Sequence, residues 1–172
     1  MAEDSEFDVF VLTRTRPLLR TAYLLVGDEQ RAEDLLQTAL AKAWFAWRRI
    51  EWDPEAYVRR VMVTTSASWW RRRWNSQLPT AELPETPRTT ADLEPHDHDL
   101  WLALRHLPPR QRAIVVLRYL EDRSERETAL LMGCSVGTVK SQTARALAKL
   151  RLDPVLDAAS RSESTAHEGG QR

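Results

Sequence analysis

Apolar residues recur in the first half of the chain at the three- and four-residue spacing of amphipathic helices. The clearest such helix has a wide apolar face, formed by Ala32, Leu35, Leu36, Ala39, Leu40, Ala43, Trp44 and Trp47. Gly27-Asp28 marks the boundary with an earlier helical stretch. The helix with the wide apolar face also has a polar face, and the simplest interpretation of that face is a solvated surface. It is formed by Arg31, Glu33, Asp34, Gln37, Thr38 and Lys42.

A further helix is predicted to begin at Asp53-Pro54 and to continue to Trp74, because aspartate suits the N-cap and proline the first turn. At 100° per residue this helix has two stripes. The first should face the core and contains Val58, Val61, Met62, Thr65 and Trp69. The second contains Tyr57, Arg60, Thr64, Ser68 and Arg71.

The same helix is rich in arginine and aromatic residues. Between Ala56 and Ala81 there are five arginines and no acid; the arginines are Arg59, Arg60, Arg71, Arg72 and Arg73, interleaved with Tyr57, Trp69, Trp70 and Trp74. Single-stranded nucleic acid binders use this mixture, since guanidinium groups pair with phosphates and rings stack on bases. The alternative is that the tryptophans are core and the arginines only solubilise the helix end; for Trp69, packing is the preferred interpretation.

A segment rich in proline, threonine and acidic residues divides the chain. Residues 80–99 carry six acidic and one basic side chain, and residues 100–152 carry ten basic and four acidic ones. Such a composition cannot bury a core, so we expect an acidic flexible linker over residues 77–98. It would join a domain at residues 7–76 to one at residues 99–153, with a disordered tail at residues 154–172.

The second domain has the pattern of a helix-turn-helix. Leu107-Pro108-Pro109 begins one helix, and Ser124-Glu125-Arg126-Glu127 is a capping box that begins the next. Gly133 should end that helix, and Ser135 should cap another only two residues later. Two helices joined by a short glycine-containing turn predict a helix-turn-helix.

The last of these helices has a basic outer face. Its inward positions are Val136, Val139, Thr143, Ala146, Leu147 and Leu150. Its outward positions are Thr138, Ser141, Arg145 and Lys149, with Lys140 and Gln142 at the edges. Four basic residues and no acid between Val136 and Arg151 favour contact with the major groove of DNA over plain packing.

Composition excludes several other classes. Five glycines leave no room for a glycine-rich phosphate loop, and a single Cys134 forbids an intramolecular disulfide and indicates a reducing cytoplasm. The acidic N-terminus is unlike a signal peptide, and no apolar run approaches the ~20 residues that a bilayer needs. The best metal-ligand candidate is His96-Asp97-His98-Asp99, for which a solvated charge run is the preferred interpretation. We therefore expect no enzyme, cofactor, metal or membrane.

Several motifs together resemble bacterial RNA polymerase sigma factors of the extracytoplasmic-function type, and the actinobacterial sigma-E group in particular. They are Ala32-Glu33-Asp34-Leu35-Leu36-Gln37, the arginine- and tryptophan-rich helix, the acidic linker, and Gly133-Cys134-Ser135-Val136-Gly137-Thr138-Val139-Lys140-Ser141. The resemblance covers about residues 7 to 152. It implies an all-α fold of two small domains, the region 2 bundle and the region 4 helix-turn-helix, which recognise the -10 and -35 promoter elements and bind core polymerase.

The resemblance also implies which residues make each contact. Docking on the clamp helices of the polymerase β′ subunit would involve Asp34, Leu35, Gln37, Thr38, Ala41 and Lys42. Opening and holding the -10 element would involve Trp52, Tyr57, Arg59, Arg60, Val63 and Thr64, with Arg71, Arg72 and Arg73 toward duplex phosphates. The -35 contacts would come from Ser135, Val136, Thr138, Lys140, Ser141, Gln142, Arg145 and Lys149.

Further partners and one rival function stay open at this point. The resemblance implies that region 4 would bind the polymerase β flap. An anti-sigma protein that masks the clamp surface is a second candidate partner, for which the sequence contains no specific motif. The rival is a stand-alone helix-turn-helix regulator that binds duplex DNA. Such a regulator would not need an arginine- and tryptophan-rich helix suited to single strands.

Overall fold

The structure is a computed structural model that describes residues 2–51, 53–75 and 95–151, and every element in these ranges is helical. The first domain consists of α1 (Ala2–Val26), α2 (Glu29–Ala46), a 3₁₀ turn (Trp47–Arg49) and α3 (Pro54–Asn75). The second consists of α4 (Pro95–Leu104), α5 (Pro109–Val115), a π-helical continuation of α5 (Val116–Leu120), α6 (Glu125–Met132) and α7 (Val136–Arg151). The predicted all-α class is confirmed.

Local signals set the helix boundaries in the first domain. Gly27 has a φ of +75°, which suits glycine, and it ends α1. The Asp28 carboxylate accepts a hydrogen bond from the Arg31 N–H at 2.8 Å and so caps α2. The Asp53 carboxylate accepts one from the Glu55 N–H at 2.9 Å at the start of α3. Both predicted boundaries are confirmed.

The first domain is a three-helix bundle with one apolar core. Each helix contributes fully buried side chains, among them Leu18 and Leu24 of α1, Leu35 of α2, and Val58 and Met62 of α3. Trp69 packs against this core, as the packing interpretation predicts for that residue. None of the described helices is long and apolar enough to cross a bilayer.

The two domains pack against each other. One cluster of buried apolar residues extends from the first domain into the second, where it includes Leu104, Leu107 and Leu117. The sequence predicts two domains on either side of a linker, but not this contact between them. Residues 76–94 of the predicted linker and the tail lie outside the described residues. Residues 95–98 are instead the first turn of α4, because proline is well suited to that position.

Candidate nucleic-acid and protein-binding surfaces

The helix-turn-helix is built by local hydrogen bonds. The Ser124 hydroxyl accepts from the Glu127 N–H at 3.2 Å, and the Glu127 carboxylate accepts from the Ser124 N–H at 2.7 Å. Hydrogen bonding of the Ser124 hydroxyl and of the Ser124 N–H to the Glu127 carboxylate lowers the pKa of Glu127 below its usual range. Gly133, with φ +61°, ends α6, and the Ser135 hydroxyl accepts from the Thr138 N–H at 3.1 Å at the start of α7. The predicted capping box and turn are confirmed.

α7 has one buried and one exposed face. Val139 and Ala146 are buried against the rest of the second domain, while Ser141, Arg145 and Lys149 are exposed. None of the eight residues predicted to contact the -35 element is buried; they are Ser135, Val136, Thr138, Lys140, Ser141, Gln142, Arg145 and Lys149. The exposed face therefore presents hydroxyl groups and cations, and α7 contributes no acid to it.

Three residues of α7 depart from the simplest picture. Val136 is 38% exposed, so its prediction as an inward residue is wrong; it is the first residue of α7, one turn before the buried Val139. Lys140 Nζ lies 3.6 Å from a Glu125 carboxylate oxygen of α6. The Gln142 side-chain oxygen accepts from Gln111 Nε2 at 3.1 Å. Of the cations predicted to contact the -35 element, Arg145 and Lys149 are therefore the two that are best placed to meet an outside partner.

α3 has three faces rather than the two that the sequence predicts. One packs into the core through Val58, Met62 and Trp69. A second is also buried or half-buried and contains Arg59, Val63, Ser66 and Trp70, at the spacing of one helical stripe. The third is exposed and includes Arg60, Thr64, Arg71 and Arg72.

Two residues that were predicted to contact the -10 element lie on the second, buried face of α3. Arg59 is 3% exposed and Val63 is also buried, so neither side chain is available to DNA in this arrangement. Both lie on the stripe that faces the second domain, where Arg59 meets Glu121 and Trp70 meets Arg112. The other members of the -10 set lie at the surface or half-buried, except that Trp52 and the side chain of Arg73 lie outside the described residues.

Arg59 is held by carboxylates from both domains. Its Nη1 lies 2.7 Å from a Glu55 oxygen of its own helix, and its Nη2 lies 2.5 Å from a Glu121 oxygen just after the π-helical turn. The other Glu121 oxygen accepts a hydrogen bond from the Thr21 hydroxyl of α1. The Nε of Arg59 is buried and has no hydrogen-bond acceptor among the described residues. The arginine is therefore neutralised, but not fully hydrogen-bonded.

Arg112 is the second polar link between the domains. This buried guanidinium donates to the main-chain carbonyl oxygens of Leu25 in α1, at 2.9 Å, and of Leu107, at 3.1 Å. It also lies 5.2 Å from the ring centre of Trp70 and 4.5 Å from that of Trp101. Burial lowers the pKa of Arg112 to about 10. A cation thus joins α1, α3, α4 and α5 at the domain boundary.

The predicted polymerase-binding residues form most of one exposed face of α2. Asp34, Gln37, Ala41 and Lys42 are exposed and Thr38 is half-buried. The prediction that Leu35 takes part in docking is wrong, because this residue is 0% exposed and belongs to the core of the bundle. Its side chain packs inside the bundle and so positions the exposed face of α2.

A cleft of about 270 Å³ lies where α2 and α3 meet. Its lining combines residues from the predicted polymerase set with residues from the predicted -10 set, together with their neighbours; the members are Thr38, Lys42, Thr64, Thr65, Ser68, Trp69 and Arg72. The two predicted sets are therefore adjacent in space, and the cleft between them is lined by hydroxyl groups, two cations and an indole.

The sequence interpretation missed Phe45. This side chain is 80% exposed, near the end of α2. It follows Asp34, Thr38 and Ala41 at spacings of four and three residues, which continues the same helical face. That spacing was a usable signal. Glu121 and Arg112 were also missed, and their sequence neighbourhoods contain no comparable signal.

The histidine and aspartate cluster has structural partners. Asp97 accepts a hydrogen bond from Arg20 Nε at 2.6 Å, and His98 Nδ1 lies 3.2 Å from the Tyr23 hydroxyl. Both contacts join α4 to α1. Within the described ranges, no group of three or more potential metal ligands comes together.

Comparison with known proteins gives matches over both domains. Residues 10–76 match the family model for Sigma-70 region 2, and residues 97–150 match that for Sigma-70, region 4. The chain is 47% identical over 154 residues to the RNA polymerase sigma-E factor of Streptomyces coelicolor, which covers 88% of this chain and 87% of that relative.

Two solved structures have a similar fold. One is the sigma factor RpoE in complex with the anti-sigma factor NepR from Bartonella quintana, with a TM-score of 0.66 and 26% identity over 88% of this chain and 97% of that chain. The other is CnrH in complex with the cytosolic domain of CnrY, with a TM-score of 0.63 and 22% identity over 90% of each chain. The latter likeness concerns the fold alone.

Proposed function

The chain belongs to the sigma-70 family of RNA polymerase sigma factors, of the extracytoplasmic-function type, and we propose on this premise that its domains divide promoter recognition between them. As a sigma factor it binds core RNA polymerase and promoter DNA and acts in transcription initiation. Sigma factors are non-enzymatic initiation factors, and this membership gives no support to a metal-ligand role for His96 to Asp99. The chain would consist of a first domain at residues 7–76, the linker that follows it, and a second domain that begins with α4. Its work on polymerase would take place in the cytoplasm.

The second domain would read the -35 element with α7. The observation that carries this assignment is the exposed face with Ser141, Arg145 and Lys149, to which α7 adds no acid. A major groove about 12 Å wide admits a helix, and basic side chains there can reach phosphates and base edges. Ser135, Val136, Thr138 and Gln142 flank this face, and Lys140 would exchange its contact with Glu125 for DNA.

The first domain would hold the -10 element as a single strand. Arg60, Arg71 and Arg72 on the exposed face of α3 can pair with phosphates, and Thr64 lies among them. Tyr57 and Trp52 supply rings for unstacked bases, and Val63 and Arg59 would join only after the domains separate. Because the protein would bind this strand only when it is unpaired, binding shifts the DNA toward the open state without ATP.

The exposed face of α2 would dock on the clamp helices of the polymerase β′ subunit. Asp34, Gln37, Thr38 and Lys42 supply polar contacts, and Phe45 supplies an apolar one. A large exposed aromatic side chain at the end of a polar face is the kind of residue that anchors protein interfaces. The second domain would make a separate contact with the β flap.

An anti-sigma protein is a further proposed partner. The RpoE relative with 26% identity was solved in complex with the anti-sigma factor NepR, and its likeness covers both domains of this chain. The arrangement of domains in this chain is thus similar to one that an anti-sigma factor can bind. Such a partner would compete with polymerase for the first domain.

Run-off transcription tests the whole proposal. Purified core polymerase would be supplied with genomic fragments, with and without the full chain. Discrete transcripts should depend on the protein and should vanish with the Arg145→Ala and Lys140→Ala changes together. Arg105→Ala, which removes an exposed arginine outside α7, is the matched control and should leave them unchanged. Duplex binding without any transcript would favour the stand-alone regulator.

A further inference from the structure

Gln142 lies at the edge of the exposed face of α7, where α5 packs beside that helix. Thr138 and Arg145, four residues before it and three after it, lie on the same side of α7. Arg145 is exposed, whereas Gln142 is half-buried. The side-chain oxygen of Gln142 accepts a hydrogen bond from Nε2 of Gln111 in α5 at 3.1 Å. One end of the Gln142 amide is therefore held by the protein itself.

Gln111 is a buried amide whose polarity is not needed for packing. The residue is 7% exposed, and its side-chain oxygen has no hydrogen-bond partner among the described residues. Because burying a polar atom without a partner costs free energy, an apolar residue would better suit a position that only packs α5 against α7. Within the described ranges, the one side-chain hydrogen bond of Gln111 is the bond to Gln142.

The direction of this hydrogen bond decides which end of Gln142 stays available. The amino group of Gln111 donates and the oxygen of Gln142 accepts. The reverse arrangement would leave the whole buried amino group of Gln111 unpaired, and buried donors without acceptors are rarer in proteins than buried oxygens without donors. The amino group of Gln142 is therefore the end that can meet an outside partner.

The two ends of a glutamine amide recognise different bases in the major groove. At adenine a glutamine uses both ends, since its oxygen accepts from N6 and its amino group donates to N7. Guanine offers two acceptors at the same edge, N7 and O6, and no donor. A glutamine that presents only its amino group therefore fits guanine, whereas at adenine it would set two amino groups against each other.

We propose that Gln111 is a positioning residue that makes Gln142 a donor-only reader, so that the chain selects guanine over adenine at one base pair of the -35 element. The proposal rests on the proposed function of α7, and it adds a residue that does not itself touch DNA. A free glutamine side chain has many rotamers and can present either end of its amide. Gln111 removes this choice before DNA arrives, which reduces the ordering cost of binding guanine.

A pool of duplexes locates the base pair concerned. The full chain with core polymerase would be given a promoter fragment found by run-off transcription, with its -35 element randomised, and the bound duplexes would be sequenced. Gln142→Ala should remove the preference at one base pair, which identifies the pair that Gln142 meets. At that pair the unchanged chain should bind the duplex with guanine about tenfold better than the duplex with adenine on the same strand.

Three variants of Gln111 then test the positioning through the ratio of these two affinities, because a ratio cancels any general change in binding. Gln111→Lys can only donate, so it should keep the preference for guanine. Gln111→Glu, when ionised, can only accept, so it should turn the Gln142 amide over and reverse the preference toward adenine. Gln111→Leu suits a buried site and removes the hydrogen bond, so it should bring the two affinities close together.

Thr128→Val is the matched control for the loss of a buried polar atom in the second domain. Thr128 of α6 is 0% exposed, and its hydroxyl, like the oxygen of Gln111, has no hydrogen-bond partner among the described residues. Valine keeps the branched shape of the side chain. This variant should leave the base preference unchanged at every position of the -35 element.

The outcomes separate this inference from the proposed function. If Gln142→Ala removes one preference but Gln111→Leu leaves the ratio as it was, the positioning role is wrong and α7 remains the reading helix. A preference that survives Gln111→Glu and is lost in Gln111→Lys would also overturn the inference, because Gln142 would then present its oxygen. The same holds if the unchanged chain prefers adenine, if Gln142→Ala changes no base pair, or if Gln111→Leu alters several base pairs at once. A pool in which the unchanged chain selects no base at any position would instead count against α7 as the -35 reader.

Discussion

Gly27 at the end of α1 lies directly against the indole of Trp101, a side chain of the second domain. A Cβ on Gly27 would overlap that ring, and the φ of +75° already disfavours any other residue. The same indole stacks on Arg112 from its own domain. Glycine at this position therefore ends a helix and also admits the neighbouring domain.

The first prediction separates these two roles. Gly27→Ala should lower the free energy of unfolding by more than Gly133→Ala, a matched change at φ +61° where nothing lies within 4 Å of the new Cβ. Both changes cost about 1–2 kcal/mol for the left-handed backbone. Only the first adds overpacking, about 1–3 kcal/mol. Urea unfolding measures both; equal losses would mean that Trp101 does not sit on Gly27 in solution.

The second prediction concerns Phe45. Phe45→Ala should weaken binding to core polymerase by about 1–3 kcal/mol, since the exposed ring would lose its burial in the interface. The fold should be unaffected, because the side chain is 80% exposed in the free chain. Leu12→Ala, at an equally exposed apolar residue of α1, is the control for general loss of apolar surface. If it weakens binding as much as Phe45→Ala, the α2 face is not the specific docking surface.

The third prediction concerns the exposed cations of α7. Arg145→Ala and Lys149→Ala should each weaken binding to a duplex that contains the -35 element. Each should also reduce the slope of log affinity against log salt by about one, because each phosphate contact releases about one counterion. Fluorescence anisotropy over a salt series measures both effects. A slope that stays the same after both changes would remove α7 from phosphate contact.

Local sequence patterns were sufficient to predict the helices, but not to predict the contact between the two domains. The capping box at Ser124 and Glu127 depends on residues three apart, so a reader of the sequence can find it. Arg59 lies in the same arginine-rich helix as Arg60, and nothing local shows that one is buried and the other exposed. Its partner Glu121 comes from the other domain, and such a pairing is set by tertiary packing.

The errors on α2 and α3 have different causes. Leu35 lies on the apolar face that the helical spacing predicts, and only the resemblance assigns it to docking; its burial agrees with the spacing. Val63 and Ser66 are buried on the same helical stripe as Arg59, whose Nη2 contacts Glu121 of the second domain. Periodicity identifies one buried face of a helix reliably, whereas a second buried face looks like part of the surface.

The last prediction follows from the capping box, which sets where α6 begins and hence how α7 is presented. Hydrogen bonds from Ser124 lower the pKa of Glu127 in the folded chain below its ordinary value of 4.5. The folded state therefore favours the ionised carboxylate, and this contribution to stability is fully present above pH 4.5. It is lost as the pH falls through the lower pKa of the folded state.

Thermal melts across this pH range, for the unchanged chain and for Glu127→Gln, measure the effect. Glutamine can still accept the hydrogen bond from the Ser124 N–H but carries no charge, so its melting temperature should be lower than that of the unchanged chain above pH 4.5. The gap should narrow as the pH falls further. Ser124→Ala removes the partner hydroxyl and should likewise flatten the acid dependence. Parallel profiles for all three proteins would show that the box contributes no charge-dependent stability to the helix-turn-helix.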